Sequence, residues 1–189
     1  MSTAQDIVTR VRDVINDTSA TPRNSNEEIF RWISDALSLA STSVPRLFSK
    51  TADMICSAGY LQTLAFTRAL SFIEVIGFPQ VDVASLTAFA PGWKMDTAGP
   101  IQHWFPSADS PKSFCVYPPS QGDQTITVTY VESPAPVTST SDVLNVPDVV
   151  IPAIVQFCVG MVESKDDEHV NSNRAAQAKA DFVALIKGA

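Results

Sequence analysis

The spacing of apolar residues changes twice along this chain, and that change restricts the folds open to it. Helical spacing governs both ends, while short β-type runs broken by Gly and Pro occupy the middle from Val44 to about Pro136. Runs of one kind followed by runs of another argue for segregated α and β layers rather than alternating βαβ units. At the N-terminal end Ile7, Val11, Val14 and Ile15 share one face at 3.6 residues per turn, with Thr3 as N-cap ahead of Asp6. A second helix opens at Ser25 with a capping box, the Ser25 hydroxyl accepting from the Glu28 N–H while the Glu28 carboxylate reaches back to the Ser25 N–H. Its apolar face is Ile29, Trp32, Ile33, Ala36, Leu37 and Ala40.

The middle holds "MICSAGYLQTL" from Met54, "LSFIEVIGF" from Leu70 and "SFCVYPPSQGDQTITVTYVESPAP" from Ser113. The last of these reads as a β-hairpin, two strands around a polar turn. Side chains alternate along a strand, so Ile126, Val128 and Tyr130 face one way and Thr125, Thr127 and Thr129 the other. After the turn-rich "SPAPVTSTSD" helical character returns at Val149, with Asp148 as N-cap and Pro152 tolerated in the first turn. Val150, Ile151, Ile154, Phe157, Cys158, Met161 and Val162 make this third helix apolar on nearly all sides, so it belongs in the core. Asp166, Asp167 and Glu168 then stand where a fourth helix would begin, and Lys187 and Gly188 where it would end. Its inner face would be Ala175, Ala178, Phe182, Leu185 and Ile186. The expected fold is α+β: a four-helix bundle-like layer from residues 1–43 and 146–189, with an antiparallel β domain, residues 44–145, inserted between them.

The formal net charge of −7 argues against a protein that coats nucleic acid, because such binding relies on clustered Lys and Arg displacing counterions from phosphates. Cys56, Cys115 and Cys158 lie far apart without a CxxC spacing, which suggests three buried thiols rather than a zinc site or a disulfide framework. No stretch approaches the roughly 20 apolar residues needed to span a bilayer, and the expectation is a chain made in the cytosol with no membrane partner.

Catalytic equipment is not legible. Asp166, Asp167, Glu168 and His169 form the best metal-ligand cluster, but consecutive helical residues fan out by about 100° each and do not converge on one ion, so a solvated helix start is the simpler reading. His103 lacks a nucleophile elbow to work with, and no phosphate-cradling or zinc-protease motif is present. A carboxylate pair of the glycosidase kind could come from anywhere in the chain, and nothing selects one. Trp93 in "APGWK" and Trp104 in "QHWFP" are candidate partner-facing aromatics, weighed against the commoner fate of large aromatics, which is to fill a core. No cofactor is expected.

Taken in order, "DIVTRVRDVINDT", "NEEIFRWISDAL", "GYLQTL", "APGW", "SPKSFCVYPP", "LNVPDVVIPAIVQF" and "ESKDDEHVNSNRAAQAKADFVALIKG" resemble the head-to-tail adaptor (connector) proteins of short-tailed bacteriophages along nearly the whole chain. The resemblance implies a structural virion protein in the neck, without enzymatic activity, forming a ring of twelve copies beneath the portal protein. Its helices would dock the portal and build the ring, its β part would face the tail nozzle and tail fibre proteins, and DNA would pass through without specific binding. Asp166, Asp167 and Glu168 are then candidate channel-facing acids. The alternatives are a tail-associated cell-wall hydrolase with a structural role and a small binding module unrelated to phage.

Overall fold

The computed structural model describes residues 2–166 and 172–188, apart from the side chains of residues 166 and 172–175. In chain order the elements are α1 (Ala4–Val14), α2 (Asn26–Ser43), β1 (Ser49–Ile55), β2 (Gly59–Thr63), β3 (Ala69–Ile76), α3 (Val83–Phe89), β4 (His103–Pro106), β5 (Ser113–Ser120), β6 (Thr125–Glu132), α4 (Ile151–Asp166) and α5 (Ser172–Lys187). The fold is α+β, with five α-helices and two three-stranded antiparallel sheets among the described residues. Its contacts divide the chain into a helical unit, Met1–Phe48 with Pro134–Ala189, and a β unit, Ser49–Ser133.

In the helical unit α4 packs against α1, α2 and α5. Val150, Ile151, Ile154, Phe157, Cys158 and Val162 are all buried, as a helix apolar on nearly every side requires. The Phe157 and Phe182 rings meet at 5.3 Å between centroids. Both capping boxes form: the Asp6 N–H donates to Thr3 Oγ1 and the Thr3 N–H to Asp6 Oδ2, and Ser25 and Glu28 exchange the equivalent pair. The segment after Ser133 has little regular structure of its own, yet it completes this unit. Carbonyls of Asp142 and Thr140 accept from the Ala4 and Gln5 N–H groups at 2.9 and 3.0 Å, satisfying first-turn donors that a helix leaves unpaired. Val137 and Leu144 are buried beneath it, and the Val137 N–H donates to Ser34 Oγ at 2.9 Å.

Four helical details differ from the sequence reading. Val14 is exposed and Val8 buried, because α1 ends at Val14 and Asn16 turns the chain away at φ 54°, a conformation that Asn tolerates. Phe30 is buried where Trp32 is half-buried, a rotation of the core-facing stripe by part of a turn. A single-turn 3-10 helix, Asp148–Val150, leads into α4 and makes no side-chain cap bond. Leu185 is 52 % exposed, since Phe182 and Ile186, four residues apart, already define the buried line of α5.

The β unit corrects the hairpin. β5 and β6 are joined by a short turn at Gly122, φ 100°, but do not pair. β6 lies between β1 and β3, and β5 lies between β2 and β4, so both edges of each strand are occupied by other partners. The β5 register against β2 is interrupted between Gly59↔Ser120 and Leu61↔Cys115. Pro118 and Pro119, which have no N–H to donate, lie within that interruption. Ile126, Val128 and Tyr130 do turn inward together, and they share one core with Phe114 and Val116 of the other sheet. Phe72 stacks on Phe114 at 4.2 Å and meets the Trp104 ring edge-on at 5.2 Å. β5 is buried along most of its length because its second face is covered too, by α3 and the 3-10 turn Trp93–Met95. That helix lies inside a stretch that reads as β-type: Asp82 caps it, its Oδ2 accepting from the Ser85 N–H at 3.0 Å, and only Leu86 is buried along it.

Candidate interaction surfaces

Trp93 and Trp104 are each 5 % exposed, so neither ring is presented to a partner. The Trp104 N–H donates to the Phe78 carbonyl at 2.9 Å, satisfying the polar atom of a ring otherwise buried in the sheet core. Trp93 is the anchor of the α3 segment. Its ring meets Tyr60 and Phe105 edge-on at 5.2 and 5.0 Å, and its N–H donates to Thr87 Oγ1 at 3.3 Å. The Lys94 ammonium lies 5.5 and 5.4 Å from the centres of the Tyr60 and Trp93 rings, within cation–π range. Tyr117 donates to Asp96 at 3.0 Å on the far side of the turn.

What this anchored segment exposes was not legible in the sequence. Phe89 is 87 % and Met95 91 % exposed, on either side of the buried Trp93. A lone Phe between alanines has no periodicity to mark its face; the Pro91–Gly92 break after it was the only signal that the helix ended there.

The helical unit carries a second apolar surface. Val149, Pro152, Ala153, Leu185 and Ile186 line a groove of 750 Å³ between the start of α4 and the end of α5. Asp181 is the one charged residue along it among the described residues. Val149 is 59 % exposed, so much of the wall is apolar surface open to solvent.

Asp166 belongs to α4 rather than to the start of the next helix. The side chain of Asp166, together with Asp167, Glu168 and His169, lies outside the described residues. With no Gly or Pro in "VESKD", α4 simply continues through it, and Lys165 ties back to α2 by a 2.7 Å ion pair with the Glu28 of its capping box.

The three cysteines are buried thiols. Burial pushes the Cys56 thiol up to about 11 and raises Cys115 and Cys158 as well, so none of the three is a ready nucleophile at neutral pH. His103 lies in β4 opposite Tyr117, with Nδ1 buried and unpaired among the described residues. No cluster of three His, Cys, Asp or Glu able to hold a metal occurs among the described residues, and none of the described helices is long and apolar enough to cross a membrane.

No curated protein matches this chain. The family model for the SU10 adaptor protein matches residues 2–189, covering both units; the chain belongs to that family, in agreement with its resemblance to phage head-to-tail adaptors.

Proposed function

We propose that this chain is a structural virion protein of the phage neck, a head-to-tail adaptor that joins other copies in a dodecameric ring between portal and tail. The observation that carries this reading is the family match along residues 2–189. In this reading the four long helices act as a bundle that docks the portal protein and builds the ring, and the β unit faces the tail nozzle and tail fibre proteins. The work is done by surfaces, without catalysis, cofactor or membrane. DNA passes through unheld, a role that suits a net charge of −7 per copy, since like charge keeps phosphates from lodging on the wall. Asp166, Asp167 and Glu168 are the acids we assign to that wall.

The test is to mix the purified chain with portal particles and follow it by sedimentation and electron microscopy. Co-sedimentation, with a ring of added density on one face of the portal, is the expected result. A chain that keeps its own sedimentation coefficient in the presence of excess portal would overturn the adaptor reading.

A further inference from the structure

The chain carries an apolar groove in one unit and protruding apolar side chains in the other, and their charges are opposite. The groove runs between the start of α4 and the end of α5, has a volume of 750 Å³, and has Asp181 as its one charged lining residue among those described. The protrusion is the Phe89–Met95 segment, where Phe89 and Met95 are almost fully exposed. Lys94 is the only charged residue in that segment. The backbone below is held by the buried Leu86 and Trp93, which pack with Phe105 and Cys115. An exposed aromatic on an anchored backbone loses little freedom on docking, which is the property of an interface anchor.

We propose that the Phe89–Met95 segment of one copy seats in the α4–α5 groove of a second copy, with Phe89 against Leu185 and Val149 and Lys94 beside Asp181. A second copy is the occupant favoured here because the same chain supplies both complementary surfaces, apolar to apolar and one cation to one acid. Two different patches meeting in this way make a head-to-tail contact, which closes into a ring when the rotation between neighbours allows. The inference rests on the ring reading above and names the surfaces that would build it.

Ala88 directly precedes Phe89 and Ala184 lines the groove; both are exposed, and the three native cysteines are buried. Two full-length populations, one carrying Ala88→Cys and the other Ala184→Cys, are mixed at high concentration without portal and briefly oxidised. The expected result is a disulfide-linked dimer in the mixture and far less in either population alone. Phe89→Ser or Leu185→Glu should reduce trapping roughly tenfold or more, the loss expected for an interface anchor. Lys94→Glu should weaken it, and pairing that variant with Asp181→Lys on the other copy should restore it. Circular dichroism and melting confirm that each variant is folded before its trapping is read. Equal trapping in the unmixed populations, no trapping in the mixture, or failure of the charge exchange to restore it would overturn the proposal. Absent trapping from a chain that still forms rings on the portal removes this interface and leaves the adaptor reading standing. Trapping by a chain that ignores the portal does the reverse.

Discussion

The backbone of Gly160 in α4 lies directly against Ala178 in α5: a Cβ placed on residue 160 would fall 2.4 Å from the Ala178 Cβ. In an exposed helix, replacing Gly with Ala stabilises by about 0.5–1 kcal/mol, because Gly loses more backbone freedom on folding. Here that gain is opposed by overpacking, typically about 1–3 kcal/mol, against a methyl group that cannot rotate away. Gly160→Ala should therefore lower the melting temperature, with a net loss of about 1–2 kcal/mol. Adding Ala178→Gly to the same chain should return part of it by making room. A Gly160→Ala protein that melts at or above the wild-type temperature would show that α4 and α5 separate at little cost.

A second test lies in the β unit, where the fully buried Gln62 ties the turn between β1 and β2 to itself. Its Oε1 accepts from the Ser57 N–H and hydroxyl at 2.7 and 3.1 Å, and its Nε2 donates to the carbonyls of Ser57 and Gly59 at 2.9 and 3.0 Å. Gln62→Leu keeps the approximate size and removes all four bonds. Unpaired buried groups cost about 1–3 kcal/mol each, but Ser57 is exposed and water recovers part of that, so the expected loss is about 1–2 kcal/mol. Faster amide exchange at Ser57 should accompany it. Unchanged melting together with unchanged exchange would show that these bonds do not hold the turn.

What could be read from the residues was what is decided locally. Thr3 caps α1, and Ser25 with Glu28 forms its box, because each interaction lies within one helical turn, whatever the rest of the chain does. The alternation of Ile126, Val128 and Tyr130 was equally visible, since a strand's inward face is a property of its own sequence. Strand partners were not: β5 and β6 look like a hairpin, and only the competing claims of β1 and β3 on one, and β2 and β4 on the other, separate them. α3 was missed for a related reason, because a helix with a single buried side chain has no apolar stripe to count. The surfaces were the least legible. Trp93 and Trp104 drew attention as large aromatics and are buried, whereas Phe89 and Leu185 carry no pattern that distinguishes an exposed apolar side chain from a core one.

Acid should destabilise the protein through the helical unit. Asp6 is held below the usual carboxylate range by the Thr3 N–H, Asp17 by the Arg23 N–H, Glu28 by the Lys165 ammonium and then the Ser25 N–H, and Asp142 by the Thr138 and Ser139 N–H groups. A group whose folded pKa lies below its unfolded one contributes its stability in full above the unfolded value, about 4, and loses it as pH falls through the folded value. The melting temperature should thus hold from about pH 7 to about pH 5 and decline below about pH 4. Asp142→Asn should melt lower than the wild type at neutral pH and show a shallower decline. An identical acid decline in that variant would place the responsible carboxylates elsewhere.

The last prediction concerns DNA passage through the proposed ring. Asp166 belongs to α4, and Asp167 and Glu168 follow it in the sequence as a run of three acids. On the proposed ring such a run of acids would suit a wall that must not hold phosphates. Replacing Asp166, Asp167 and Glu168 with lysines should leave the fold intact. In virions carrying the variant ring, DNA ejection should slow as lysines engage the passing backbone. That slowing should ease as added salt shortens the reach of each charge toward about 8–10 Å at physiological strength and below it at higher salt. Ejection at the wild-type rate in low salt, from virions shown to contain the variant, would put these three acids off the channel wall.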